Sequence, residues 1–476
     1  MPGCISKRNL ILIVLFCFQG LKLNGQEMFS SDSLIVGGII IEGNFVTSKK
    51  VIFRELTFKI NRHVGRGEIE SLKQTSINNL NKTSLFNFIE INTGETEAGV
   101  LTVIVKLTER WFIWPTVYLN QTDTNFSEWW RTKDLNKLEY GFGLKVNNFR
   151  GMKETVLLNY HFGNFTKYEL EYIGIPLDKA ERHLFSIRAS HTAQNYLPWV
   201  IEFNKNISLK TENKLLKSTN LEFKYTYRKA YFNSHSFSFG YSGYKIADTI
   251  MKLNPYFFGL NNQRQIYLDL GYEFVRDTRD SHFYPKTGYM VVASIDKKGL
   301  GILPDEFNST DVIIQLFGYT RLIDRFYAAS GILFSSNSNK NQVFFTQTGL
   351  GYLQFVRGYE YYAVKGDQTY LFKSLLKFEL LKMKEINLKI WPIRKVYQLN
   401  RIPFEIYSNV FFDAGYVNDK TGSYKQYNNT LVNKLMYSTG VGVDFVTYYD
   451  KLLRFDYSFN ALGQSGLFIH WKAAIR

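Results

Sequence analysis

Two kinds of hydrophobic pattern divide the chain near residue 110. Before this point, apolar positions at helical spacing lie between short runs of strand-forming residues; in one window Ile69, Leu72, Ile77 and Leu80 repeat with a helical period. The pattern predicts, in order, a strand over 36–42, a helix from Thr47 or Ser48 to Leu56, a helix from Gly67 to about Thr83, and strands Phe86–Asn92 and Leu101–Leu107. Residues 26–110 are therefore predicted to form a small α+β domain.

From Trp111 onwards, short segments alternate between apolar and polar residues and turn residues separate them. In Thr439–Phe445, Val441, Val443 and Phe445 take one face, opposite Gly440, Gly442 and Asp444. One apolar and one polar face fits strands between lipid and a wet lumen. Residues 111–476 would then form an antiparallel transmembrane β-barrel of about sixteen strands, at about 9–11 residues per span. A water-soluble β-sandwich alternates similarly and stays open as the alternative.

The N-terminus and the composition favour the membrane alternative. Residues 1–25 resemble a signal peptide, because Lys7 and Arg8 precede the short apolar core Leu10–Phe18. A buried strand or a membrane anchor is the alternative for this segment. Both cysteines, Cys4 and Cys17, lie within it, which leaves the mature chain without disulfides or thiolate ligands. An exported chain with 17% aromatic residues and no later apolar run of about 18 residues indicates an outer-membrane barrel.

The charge and the short motifs point to no enzyme. The formal net charge of +16 is spread along the whole chain, so we expect basic loops and a basic lumen and no nucleic-acid partner. Neither a phosphate-binding glycine loop nor metal-ligand spacing among the 7 histidines occurs. Asp277 and Asp280 flank Arg279, which is more typical of a structural turn than of a catalytic or calcium site. We expect no catalytic residues, no cofactor and no metal.

One long connection, residues 336–367, combines unusual length with many aromatic residues around Arg357-Gly358. Connections of this length are functional or disordered, and the aromatic content argues against disorder. Gly358 permits a tight turn that presents the Arg357 guanidinium to a carboxylate. The alternative is a surface arginine in an aromatic-rich loop.

Alternation also supplies a partner for this arginine. Asp413 shares a face with Glu405, Asn409 and Gly415, away from the apolar face of Phe404, Ile406, Val410 and Phe412. A carboxylate inside a barrel needs a cationic partner. Arg357 is the candidate, and Glu379, which alternation also turns inward, is a candidate second acceptor.

The ordered set of motifs resembles the outer-membrane superfamily of BamA/TamA-type insertases and two-partner-secretion transporters. Ile41-Glu42-Gly43-Asn44 and Arg54-Glu55-Leu56 are similar to one polypeptide-transport-associated (POTRA) repeat, and Phe411-Phe412-Asp413-Ala414-Gly415 resembles the family's F-x-D-x-G strand. Val356-Arg357-Gly358-Tyr359 resembles the tip of its sixth extracellular loop, which folds back into the barrel. The resemblance implies a loop–barrel lock made by Val356, Arg357, Gly358 and Tyr359 with Asp413, Gly415 and Glu379.

The chain also departs from the family. It has a single POTRA-like repeat where the main insertase has several, its C-terminal strand does not end on an aromatic residue, and it lacks the hydrolase domain of some relatives.

We therefore expect a barrel in the outer membrane of a Gram-negative bacterium that assists the insertion of outer-membrane proteins or translocates polypeptides. The POTRA domain would lie in the periplasm and add a substrate strand to its edge, formed by Phe88, Ile89, Glu90, Ile91 and Asn92. Expected partners are unfolded outer-membrane or secreted polypeptides, outer-membrane lipid, and periplasmic chaperones or accessory assembly proteins. A passive solute channel with a vestigial domain and a purely structural barrel are the alternatives.

Overall fold

A computed structural model describes residues 33–96, 99–121, 138–163, 165–230, 232–339, 343–351, 354–387, 401–420, 422–447 and 451–471. The proposed signal peptide, residues 1–25, lies outside these ranges.

The N-terminal domain is a four-stranded sheet covered by two helices. Its elements are β1 (Ser33–Glu42), α1 (Lys49–Glu55), β2 (His63–Gly65), α2 (Ile69–Lys82), β3 (Phe86–Glu95) and β4 (Val100–Glu109). The strand order is β2-β1-β4-β3, in which β1 and β4 run parallel. Both predicted helices form within two residues of their expected ends. Ser48 caps α1, and Val51, Ile52 and Leu80 pack against the sheet with no exposed surface.

The rest of the described chain is dominated by one antiparallel sheet of sixteen strands, which confirms the predicted fold class. Its strands follow chain order around the sheet, each paired with its neighbours. They are β5 (Ile113–Gln121), β6 (Leu138–Phe149), β7 (Glu154–Gly163), β8 (Phe165–Pro176), β9 (His183–Gln194), β12 (Leu216–Ala230), β13 (Asn233–Ile246), β14 (Arg264–Asp277), β15 (Gly288–Lys298), β16 (Ser309–Ile323), β17 (Phe326–Asn337), β20 (Gln368–Asn387), β21 (Arg401–Asn418), β22 (Met436–Thr447), β23 (Lys451–Asn460) and β24 (Ser465–Trp471).

Three small elements lie in the connections: the hairpin β10 (Tyr196–Glu202) with β11 (Lys205–Lys210), the helix α3 (Asp248–Leu253), and the short pair β18 (Thr348–Leu350) with β19 (Val364–Gly366). None of the three was predicted. No helix in the described ranges is long and apolar enough to cross a membrane.

Side chains alternate across the barrel wall as predicted. On β22, Val441 is 54% exposed, whereas Asp444, on the other face, is fully buried. The outward face is therefore apolar and the inward face carries the charges. Within the described ranges, β5 and β24 each have one hydrogen-bonded neighbour. We call the boundary between these two strands the seam.

The N-terminal domain contacts one end of the barrel, which we call the near end. Asn148 Nδ2 donates to Thr47 Oγ1 at 2.8 Å, and the Ser48 amide donates to the Gly151 carbonyl at 2.9 Å. Gly151 has φ +73°, and a Cβ there would lie 2.3 Å from the Val46 carbonyl oxygen. Only a glycine turn therefore lets the two backbones approach this closely.

Candidate functional site

The described parts of the connection between β17 and β20 enter the barrel from the far end and lie against the inner wall. Val356 and Tyr359 are buried in one apolar cluster with residues of the wall, including Leu371 of β20 and Val417 of β21. Val356 and Tyr359 therefore pack against the barrel, as expected for an ordered segment.

Arg357 reaches Asp413 of β21 on this wall. Its Nε donates to Asp413 Oδ2 at 2.8 Å, its Nη2 donates to Oδ1 at 2.6 Å, and its backbone amide donates to Oδ2 at 3.2 Å. The guanidinium carbon lies 3.7 Å from the centre of the Phe411 ring. Asp413 is fully buried and Arg357 is 2% exposed. A two-point guanidinium–carboxylate pair stacked on an aromatic ring is a geometry that lysine cannot reproduce.

Two glycines give the loop room to lie on the wall. At Gly415, a Cβ would lie 2.6 Å from both Leu350 and Val356 side-chain atoms. Gly358 has φ +82°, and its carbonyl accepts a hydrogen bond from Asn460 Nδ2 at 2.7 Å. The structure thus brings Val356, Arg357, Gly358 and Tyr359 together with Asp413 and Gly415, the residues that the sequence motifs singled out.

Glu379 does not join this site. It lies on β20 opposite Tyr407, six positions from Lys373, the β20 residue opposite Asp413. At about 3.4 Å per residue this separation is roughly 20 Å, far beyond a hydrogen bond. Glu379 instead accepts from the Tyr407 hydroxyl at 3.1 Å and lies 3.5 Å from Lys286 Nζ. The expectation that Glu379 is a second acceptor for Arg357 is therefore wrong.

A second segment enters the lumen from the near end, and the sequence patterns do not predict it. The turn between β14 and β15 carries Tyr284, whose hydroxyl donates to Asp444 Oδ2 at 2.7 Å. Asp444 also receives two hydrogen bonds from Arg454, at 2.6 and 2.7 Å. Arg279 and Asp277 form an ion pair at the base of the same turn, at 2.7 Å, in keeping with the predicted structural role. The signal available beforehand was Asp444 on the polar face of its strand.

Charged side chains also join the N-terminal domain to the near end. Glu55 of α1 lies 3.5 Å from Arg228 and accepts from Arg54 at 2.8 Å, while Arg54 also pairs with Glu181. Burial raises the pKa of Glu55, but Arg228 and Arg54 outweigh it and hold that pKa below its ordinary value. Burial lowers the pKa of Lys153, beside them, to about 8. These charges lie in an interface rather than on a solvated surface.

The predicted docking strand, β3, is the longer edge of the N-terminal sheet and pairs with β4. Glu90 and Asn92 are exposed, whereas Ile91 packs in the domain core and Phe88 and Ile89 are half-buried. Near the start of β3, a cavity of about 450 Å³ lies between the domain and the first strands of the barrel, beginning with β5, which borders the seam. Leu85, Trp114 of β5 and Lys451 of β23 all line it.

A sixteen-stranded antiparallel barrel with an inward-folded, arginine-anchored connection defines the class of outer-membrane β-barrels. The Omp85 superfamily domain matches residues 116–465. The chain belongs to the Omp85 superfamily, whose members are insertases and transporters and not enzymes.

Two solved structures share the fold. The chain is similar to BamA from Haemophilus ducreyi lacking POTRA domains 1–3, with 15% identity, a TM-score of 0.50, and coverage of 93% of this chain and 85% of that one. It is also similar to CdiB from Escherichia coli, with 9% identity, a TM-score of 0.53, and coverage of 93% and 76%. No curated protein sequence matches the chain. Within the described ranges, no group of three or more His, Cys, Asp or Glu side chains is arranged to hold a metal ion.

Proposed function

We propose that the chain handles polypeptides at the outer membrane of a Gram-negative bacterium, where it assists insertion of outer-membrane proteins or moves polypeptides across the membrane. The observation that carries this proposal is that the start of the edge strand β3 lies close to β5, one of the two strands that border the seam. The cavity of about 450 Å³ is bounded by Leu85, the residue before β3, and by residues of β5 and β23. Membership of the Omp85 superfamily supports the same function.

The near end faces the periplasm in this proposal, with the N-terminal domain acting as a POTRA domain. A substrate polypeptide adds a strand to β3 through main-chain hydrogen bonds, which demand no single sequence. The exposed side chains of Glu90 and Asn92 leave that edge accessible. The substrate then passes from β3 to the seam.

The loop–barrel lock holds the connection 336–367 inside the lumen during this work. The buried pair of Arg357 and Asp413 fixes the position of the connection along the barrel axis. Gly415, which has no side chain, leaves room for Leu350 and Val356 of the connection. Folding of the substrate supplies the energy. Partners in this scheme are unfolded outer-membrane or secreted polypeptides, outer-membrane lipid against the apolar outer face, and periplasmic chaperones or accessory assembly proteins that deliver substrates.

A passive solute channel is the weaker candidate. Segments enter the lumen from both ends, one carrying Arg357 to Asp413 and the other carrying Tyr284 to Asp444. Both contacts are buried, which argues against a wide water-filled path along this wall.

Site-specific photocrosslinking in intact cells tests the proposal. A photoreactive residue at Glu90, or at Phe88, is expected to capture unfolded outer-membrane or secreted polypeptides. The matched control carries the same residue at Glu70, which is 83% exposed on α2 of the same domain but away from the edge. Equal capture from Glu90 and Glu70, or no capture from a folded barrel, would contradict docking at β3. Identification of the captured chains distinguishes insertion from secretion.

A further inference from the structure

The tip of the inward-folded loop contacts β24, one of the two strands that border the seam, as well as β21. The ring of Phe355 stacks on the ring of His470 of β24, with centroids 5.4 Å apart and planes 22° apart. The ring centroid of Tyr361 lies 5.6 Å from that of Phe468, on the same strand β24. Three residues of the loop tip and its flanks therefore contact the β23–β24 hairpin, since Tyr362 also hydrogen-bonds Gln464 at 3.0 Å.

Two carboxylates in this contact lack hydrogen-bond donors. Both carboxylate oxygens of Glu360, in the loop, and of Asp456, on β23, are buried and accept no hydrogen bond in the described structure. Asp456 is fully buried. His470 Nε2 lies 3.4 Å from Glu360 Oε1 and 3.8 Å from Asp456 Oδ2, and it has no hydrogen-bond partner either. A buried carboxylate without a positive partner is costly.

The neighbouring cations Lys373, Arg357 and Arg454 attract these carboxylates at longer range but make their closest contacts with other groups. Arg357 forms its two-point pair with Asp413, and Arg454 forms a two-point pair with Asp444. Lys373 points its amine at the Phe355 ring, 4.6 Å from the ring centre, on the loop side of the histidine. The imidazole of His470 is thus the group positioned to offer a proton to both Glu360 and Asp456.

We propose that His470 is a positioning residue, a clasp that ties the terminal strand β24 to the loop tip through Glu360 and Asp456 and that holds when its imidazole is protonated. This clasp is separate from the pair of Arg357 and Asp413, which fixes the loop to β21. The proposal rests on the proposed function, because a strand bordering the seam is where a polypeptide would enter or leave. Loss of the imidazole proton removes the attraction to the two carboxylates. The strand β24 is then released from the loop tip, while the loop stays anchored to β21 through Arg357 and Asp413.

The seam itself can be measured without any substrate. The two cysteines of the chain, Cys4 and Cys17, are first replaced by serine, so that cysteines placed at Val117 of β5 and Ile469 of β24 accept spin labels selectively. Both side chains are on the outer face, 85% and 62% exposed. Double electron–electron resonance on the full chain in liposomes then measures the distance between the two labels across the seam. The measurements are made at about pH 5.5 and about pH 8.5, a range over which imidazoles change charge.

We expect one short distance at the lower pH and a second, longer distance at the higher pH, with the ratio of the two populations changing at least about fivefold, the lower end of typical couplings. His470→Gln and Glu360→Gln should both abolish the pH dependence, and His470→Arg, which keeps a positive charge, should keep the short distance at both pH values. His191→Gln is the matched control, because His191 lies on β9 and bonds Thr219.

The clasp would be overturned if the distance across the seam in the wild type did not change with pH. It would also be overturned if the His470→Gln variant showed the same pH dependence of this distance as the wild type. Since no polypeptide is present, this result is independent of crosslinking from Glu90. A protein that captures polypeptides but shows no pH-dependent seam retains the proposed function without the clasp. If one variant fails to fold, the other glutamine variant and the arginine variant still decide the question.

Discussion

Arg357 and Asp413 lie 56 residues apart in the chain and form a buried two-point ion pair on the inner wall of the barrel. The pair converts a long connection into a fixed part of the lumen. Breaking a buried pair by removing one partner costs more than the pair contributes, because the remaining charge is left without compensation. The two residues should therefore behave as one unit.

Arg357→Ala and Asp413→Ala should each assemble as barrels but lose loop anchoring and activity, with a cost of about 3–5 kcal/mol for each single change. The double variant should be less impaired than the sum of the two, because neither charge is then stranded. Limited proteolysis of the connection and complementation of growth or secretion measure the two effects. Arg321→Ala, in an exposed pair with Asp324, is the control; unrelated phenotypes for the two partners would refute the lock.

Gly415→Ala should displace the loop tip. The added Cβ would lie 2.6 Å from side-chain atoms of Leu350 and Val356, so either the loop or the wall must shift, at a cost of about 1–3 kcal/mol. Gly318→Ala is the matched control in another barrel strand, where a Cβ meets nothing within 4 Å. Protease sensitivity of the connection should rise for the first variant alone. Equal behaviour of the two would mean that close packing at Gly415 does not hold the loop.

Gly358→Ala combines backbone strain with a contact, and a second glycine separates the two effects. Gly358 has φ +82°, and its added Cβ would lie 3.1 Å from Ser458 Oγ; Gly463 has φ +75° with open space around it. Both alanine variants should be destabilised by the left-handed backbone, at a cost of about 1–2 kcal/mol. Only Gly358→Ala should also weaken loop anchoring, as measured by proteolysis.

Tyr284→Phe tests the segment that enters from the near end. Loss of the hydroxyl leaves Asp444 with one donor fewer, which should cost about 1–3 kcal/mol and raise small-solute permeability in liposomes. Tyr361→Phe, at a side chain that is 65% exposed, should change neither property. Unchanged permeability in Tyr284→Phe would separate this hydrogen bond from closure of the lumen.

Acid should loosen the N-terminal domain from the barrel. The pKa of Glu55 is depressed below 4.5 by Arg228 and Arg54 in spite of burial. A carboxyl with a depressed pKa contributes stability above its unfolded value and loses that contribution as the pH falls through its folded pKa. Distance measurements between the domain and the barrel should therefore change below about pH 4.5. Glu55→Gln should show the looser state already at neutral pH, whereas Glu70→Gln, on the exposed face of α2, should not.

The sequence predicted the secondary-structure elements and the inward or outward face of each residue well, but not the position of a residue along the barrel axis. Alternation correctly assigned Asp413 and Glu379 to the lumen. It could not show that they lie at different positions along the axis, because that depends on the register between strands. The helix α3 was missed because its six residues give too short a period to recognise.

The contacts of Tyr284 and His470 were beyond the sequence for a different reason. Each depends on a turn or loop folding back onto a strand far along the chain, 160 residues away for Tyr284 and Asp444. Local pattern carries no information about such closures. Arg357 and Asp413 were found together because each lies in a motif of its own.

Chain order gives the buried charges of the last strands a role in the protein's own assembly. Asp413, Asp444 and Arg454 lie on β21, β22 and β23, while Arg357 and Tyr284, which contact two of them, precede these strands in the chain. Lone charges are expensive in a low-dielectric setting. The C-terminal hairpins therefore form at lower cost once the earlier segments lie in the lumen, so that these segments act as a template for the last strands of the wall.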